Sequence, residues 1–223
     1  QILEQNRQLT QANETLTRMS QTDFLTGLYN RSALFKELDR EIDRVRRYHR
    51  ADRTELVLLF IDLDNFKFYN DTFGHAVGDA LLTEFAGVLR GCTRDSDTRF
   101  RYGGDEFIVL LPESSASGSQ RLAERIASSI HERQEFEPEI RAMLLEQKQA
   151  DQLPTLPMIP VDKRLSCSIG IACSGSIGSD QAFGSDELGS GEWSDKLIQA
   201  ADAALYEAKR AGKHSYRVFR QRA

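Results

Sequence analysis

At 223 residues the chain is long enough to bury one well-packed domain with an appendage, and too short for two independent domains of ordinary size. Its composition, 40% hydrophobic and 28% charged, excludes a disordered or fibrous chain. The net charge of −5 argues against a nucleic-acid binder, while a local basic patch around a phosphate stays compatible with it. No apolar run reaches membrane-spanning length and nothing resembles a signal peptide. The chain begins at Gln1, so it is read as part of a longer protein, whose remainder could carry an anchor. Cys92, Cys167 and Cys173 have no metal-ligand spacing and read as small buried hydrophobes in a reducing cytosol.

Residues 1–20 form a polar helical stretch in which Ile2, Leu9 and Leu16 repeat every seven, with Gln5, Ala12 and Met19 interleaved. This is the a/d pattern of a coiled coil, here the end of a longer dimerising helix, although a plain amphipathic surface helix fits the same residues. A turn-rich break over Thr22–Arg31 follows. The spacing of Leu34, Phe35, Leu38, Ile42 and Val45 predicts a helix over 32–49. The apolar run Leu56–Ile61 predicts a strand buried on both faces, with Asp62 and Asp64 immediately after it. A short helix over Phe66–Phe73 leads through Gly74–Asp79 into an amphipathic helix carrying Leu81, Leu82, Phe85, Val88 and Leu89.

Thr98–Tyr102 and Phe107–Leu111 read as a hairpin turned at Gly103-Gly104. A helix over 117–136, a strand over Leu165–Ala172, a helix over Ser194–Ala211 and a short strand over Tyr216–Phe219 complete the pattern. Two stretches, 134–163 and 174–192, read as surface insertions, the first carrying Pro154, Pro157 and Pro160 and the second rich in Ser and Gly. Alternating elements of this kind imply an α/β sandwich with one sheet, spanning 21–223.

The acids stand out chemically. Asp62 closes a buried strand, where an isolated carboxylate is costly unless paired or metal-bound. Asp105 and Glu106 sit at a glycine hairpin, which lets another molecule approach the backbone closely. Three carboxylates from neighbouring elements make a hard oxygen cluster suited to Mg²⁺ with phosphate. Taken singly, each feature also fits a solvated turn or a helix N-cap.

Together they form a pattern. Arg101-Tyr102-Gly103-Gly104-Asp105-Glu106-Phe107 matches the signature of the GGDEF family of diguanylate cyclases. Asp23-x-Leu25-Thr26-Gly27-Leu28-x-Asn30-Arg31 resembles that family's opening motif, and Asp62-Leu63-Asp64-x-Phe66-Lys67-x-x-Asn70-Asp71 its metal and base segment. Phe73-Gly74-His75-x-x-Gly78-Asp79, Ser168–Ala172 and the run from Ala201 to Lys209 follow in the family's order. The resemblance covers about Asp23 to Phe219, with the two insertions unmatched.

The resemblance implies a central, mostly antiparallel sheet flanked by helices, a ferredoxin-like core akin to nucleotidyl cyclases and polymerase palms. It implies condensation of two GTP into cyclic di-GMP, with two Mg²⁺ per GTP (or Mn²⁺) held by Asp62, the Leu63 carbonyl, Asp105 and Glu106. Asp105 is also the family's acceptor for the 3′-hydroxyl proton, although a metal-bound carboxylate is a poor base. Phe66, Asn70 and Asp79 line the guanine, Gly103 and Gly104 admit the substrate, and Lys67, Lys209 and Lys213 face phosphates. Arg101 and Lys67 are read as catalytic, and His75 lies on the substrate side while also fitting a structural role. Asp79 also reads as an N-cap. Lys213 stands where the family commonly has Arg, a point charge in place of a fork.

Arg94-x-x-Asp97, five residues before Gly103, resembles the family's inhibitory product site, with Arg125 as a further product-binding position. The resemblance further implies a homodimer with one active site spanning two chains, an upstream sensory domain, a cytoplasmic location and no nucleic-acid partner or direct membrane contact. Two other readings stand beside the cyclase: a silent receptor for GTP or cyclic di-GMP, and an enzyme joining ATP with GTP, against which Asp79 argues.

Overall fold

The computed structural model describes residues 21–48, 55–132, 159–177 and 189–220. The heptad-like stretch 1–20 and most of the first insertion lie outside the described residues. The elements are β1 (Tyr29–Asn30), α1 (Arg31–Tyr48), β2 (Glu55–Asp64), α2 (Phe66–Phe73), α3 (His75–Cys92), β3 (Thr98–Gly103), β4 (Glu106–Ser114), α4 (Ala116–Glu132), β5 (Ser166–Cys173), α5 (Ser190–Arg210) and β6 (Tyr216–Val218). The strand order is β1-β3-β4-β2-β5-β6. The inner pairings are antiparallel, and only the short edge strands β1 and β6 run parallel to their neighbours. This is the expected palm-like sheet.

Alternation along β2 divides the core. Val57, Leu59, Ile61 and Leu63 pack with α2, α3 and α4, while Leu56, Leu58 and Phe60 pack with α1 and α5. Both sets are buried, which is why the segment reads as an uninterrupted apolar run. Each face supplies a full layer, so truncating a central residue such as Leu59 should cost about 2–5 kcal/mol. Cys167 and Cys173 lie in the α2–α4 face, and all three cysteines are buried free thiols. Burial, aided by Glu55, pushes the Cys173 thiol up to about 12, which makes it inert.

At Gly170 the helix α5 lies directly on the sheet. A Cβ there would stand 2.0 Å from the Ala201 carbonyl and 2.3 Å from the Leu205 nitrogen, so only glycine permits this approach. The contact brings the end of α5 over the C-terminal end of β2.

Several expected boundaries move. Asp62 and Asp64 lie inside β2, because pairing with β4 and β5 continues past the apolar run. The helix expected after Asp79 begins at His75, with Gly74 at its N-cap, so Asp79 is inside the first turns and does not cap it. The hairpin turns at Gly104-Asp105, with Gly103 still paired to Glu106. Helix α5 starts at Ser190, within the stretch expected to be a loop.

Candidate active site

Asp62 and Glu106 are opposed partners across β2 and β4 and project from the α5 face of the sheet. Beyond them the Leu63 N–H donates to the Asp105 carbonyl at 3.2 Å, laying the turn against β2. Asp62 is 8% exposed, and the Lys209 ammonium from the end of α5 stands 2.7 Å from it. Burial raises the Asp62 pKa above the ordinary carboxylate range; Lys209 opposes this, and Asp105 and Asp64 add to it. Glu106 is raised likewise by burial, then by Asp62 and Asp105, with Lys209 opposing and Asp202 adding.

The neighbouring strand acid has another task. Asp64, 2% exposed, accepts from the Ser166 hydroxyl at 2.9 Å, the Ser168 hydroxyl at 2.9 Å and the His214 N–H at 3.1 Å. Those donors satisfy a buried carboxylate and join β5 and the β6 approach to β2. Asp62, with Lys209 as its one cation, is the acid left facing the hairpin.

Arg101 holds the turn in place. Its Nη1 is 3.2 Å from each carboxylate oxygen of Asp23, and its Nε and Nη2 donate to the Gly104 carbonyl at 3.1 and 2.9 Å. Asp23 also receives the Thr26 N–H at 2.9 Å and the Thr26 hydroxyl at 2.7 Å. Burial opposes ionisation of Asp23, but Thr26 and Arg101 outweigh it and hold the pKa below the usual value. The opening motif thus acts as an anchor for the hairpin, a role that the Asp23-x-x-Thr26 turn signal could have suggested.

At the other side of the cleft, Gly78 makes room for Asn70. A Cβ at Gly78 would stand 1.9 Å from Asn70 Oδ1 and 3.2 Å from the Phe66 ring. Phe66, Asn70, Gly78 and the adjoining Asp79 therefore form one cluster at the α2–α3 junction. Asp79 is exposed there, as are Lys67 and His75. Lys213 Nζ donates to Asn65 Oδ1 at 3.0 Å. The expected phosphate cations thus come from three elements, with Lys209 on Asp62 and Lys213 on the residue preceding α2.

The donor set fits divalent cations. The oxygens of Asp62, Leu63, Asp105 and Glu106 are hard ligands, and an ammonium already rests on Asp62 in a position that favours positive charge. Among the described residues no three His, Cys, Asp or Glu side chains stand together in coordinating geometry.

Arg94, Asp97 and Arg125 line a shared hollow of about 120 Å³ together with Arg121, which the sequence did not single out. Asp97, 7% exposed, accepts the Arg94 N–H at 2.8 Å and so closes its own loop. Arg125 donates to the Cys92 carbonyl.

This sheet, with paired acids at a glycine hairpin, has the palm-like fold of the cyclases. The family model described as "Diguanylate cyclase, GGDEF domain" matches residues 20–146. The chain belongs to the GGDEF domain family. It is 32% identical over 202 residues to diguanylate cyclase A of Treponema denticola, covering 91% of this chain and 45% of that protein. It is also 32% identical to the cyclic di-GMP phosphodiesterase PdeR of Escherichia coli, over 93% of this chain and 25% of that protein. The coiled coil and GGDEF domain of DgcB from Caulobacter crescentus, solved with c-di-GMP, superposes with a TM-score of 0.68 at 27% identity, covering 98% of this chain and 95% of that one. The chain spans less than half the length of these curated relatives. Among the described residues no helix is long and apolar enough to cross a membrane.

Proposed function

We propose that this domain, over 21–223, is a diguanylate cyclase that condenses two GTP into cyclic di-GMP and two pyrophosphates. The observation that carries the reading is the in-register pair Asp62 and Glu106 beside an Asp105 whose backbone is hydrogen-bonded to Leu63. Asp62, the Leu63 carbonyl, Asp105 and Glu106 would hold two Mg²⁺, or Mn²⁺, which when bound neutralise the triphosphate and polarise the α-phosphate. Lys67, Lys209 and Lys213 bind phosphate oxygens.

Phe66 and Asn70 hold the guanine, and Asp79 accepts from its N1–H and exocyclic amine. Adenine offers neither donor there, so Asp79 favours GTP by about 1–3 kcal/mol. The 3′-oxygen of one nucleotide bonds to the α-phosphorus of the other as the α–β anhydride breaks and pyrophosphate leaves. Asp105 takes the hydroxyl proton, and Arg101 keeps the turn in position through Gly104.

Two such domains face each other, each presenting one GTP, with the 1–20 seam setting their geometry and an upstream domain biasing it. Product accumulates at Arg94, Asp97 and Arg125 and inhibits.

Incubation with GTP and Mg²⁺, beside a Glu106→Gln control, followed by chromatographic separation, tests the reading. Cyclic di-GMP from the unaltered chain alone supports it. Binding of GTP or cyclic di-GMP without product, even when dimerisation is forced, favours a second reading, a silent receptor.

A further inference from the structure

Asn65 stands at the N-cap of α2 in the left-handed conformation, φ 64°, and its side chain makes no capping bond to that helix. Asn tolerates this backbone better than most residues. Its carboxamide instead reaches across the cleft, with Nδ2 donating to the carbonyls of Asp162 at 3.2 Å and Arg164 at 3.0 Å. Its Oδ1 accepts from Lys213 Nζ at 3.0 Å. One residue later in the chain, the Leu165 N–H donates to the Tyr69 hydroxyl from α2 at 2.9 Å.

The segment before β5 is therefore fastened to the N-cap and to the middle of α2, near Lys67 and Lys213. That segment brings charge of its own. Lys163 is partly neutralised by Asp162 at 3.6 Å, whereas Arg164 is exposed and pairs with no acid among the described residues. With Asn65 turned away from capping, the first N–H groups of α2 remain available to an anion, the position a triphosphate would take. A guanidinium in this place offers the forked donor that a lysine at 213 cannot.

We propose that Asp162–Arg164 is a wall of the triphosphate site, fastened there by Asn65 as a positioning residue, and that Arg164 supplies it with a further phosphate-binding cation. This rests on the cyclase reading.

Calorimetric titration of the full chain with Mg²⁺ and 3′-deoxy-GTP, which lacks the attacking hydroxyl, set against GMP, tests it. Arg164→Ala should weaken the triphosphate about tenfold and leave GMP unchanged, and Arg164→Lys should recover part of the loss. Asn65→Gly, which keeps the left-handed backbone accessible, should give the same selective loss. The double variant should then lose little more than the worse single one. Equal losses for triphosphate and GMP, or no loss for either, would overturn the inference and leave the cyclase reading standing. Failure of the unaltered chain to bind either nucleotide would overturn both.

Discussion

Glu106, at the hairpin turn, and Asp23, which anchors that turn through Arg101, respond oppositely to pH. Glu106 is raised above its ordinary value, so its folded form holds a proton more tightly than the unfolded chain does. That contribution is present at acid pH and is lost as pH rises through the ordinary and then the raised value. At neutral pH without divalent ions, Glu106→Gln should accordingly raise the Tm, and the gain should vanish in acid. Adding Mg²⁺ with GTP should stabilise the unaltered chain more than the variant, read by thermal melts at several pH values.

Asp23 is lowered, so its contribution is present above the ordinary Asp value and is lost as pH falls through the lowered one. Denaturant titrations carried from neutral into acid should show Asp23→Asn with a flatter acid limb. A limb as steep as that of the unaltered chain would mean that Asp23 is not the group titrating.

The acids brought together here were legible because several motifs occur together in order, each of which alone also fits a solvated turn or a helix cap. Asp62 was singled out over Asp64 by the resemblance, not by a difference in the two residues' chemistry. Both lie on the same face of β2, and the choice is made by Ser166, Ser168 and the His214 N–H, which come from far along the chain. The pairing of Lys209 with Asp62 was hidden for the same reason, since it depends on where the last helix comes to rest.

Among the elements, α5 shows how one small residue sets that resting place. Replacing Gly170 with Ala puts a methyl carbon against the backbone of Ala201 and Leu205, neither of which can rotate away. The variant should lose about 2–3 kcal/mol or more in chemical denaturation. It should also weaken nucleotide binding, because Lys209 rides on the displaced helix. Loss of stability with unchanged affinity would show that the end of α5 is positioned independently of Gly170.

Elements were predicted well where period and burial agree, as in β2 and α3. They were misjudged at their ends, where capping and pairing decide. His75–Asp79 looked like a loop because Gly74 and Gly78 punctuate it, yet Gly78 is helical, and its missing side chain serves Asn70. Ser190–Trp193 looked like the tail of a Ser/Gly-rich stretch, but Trp193 is 1% exposed, and its burial draws the helix start forward.

For the whole molecule, the active site and the Arg94 hollow lie at different places on one rigid sheet, β3 connecting Arg94 and Asp97 to the hairpin. On the proposed reading, a product bound at the hollow would restrain domain approach without touching the acids. Arg94→Ala should raise the cyclic di-GMP concentration needed for half-inhibition at least about tenfold in initial-rate assays with added product. An unchanged inhibition curve would remove the hollow from the regulatory account. If, as proposed, the site is shared between two chains, specific activity should also rise with protein concentration.

The borders of the sheet carry a consequence of their own. β1 contributes two residues to its neighbour and β6 three, and both run parallel to the strands they cover. Such stubs offer an incoming strand little continuous backbone to zip onto. On the proposed reading, in which copies of the domain must meet repeatedly at close range, such borders guard against the irreversible version of that meeting, the growth of one sheet into the next.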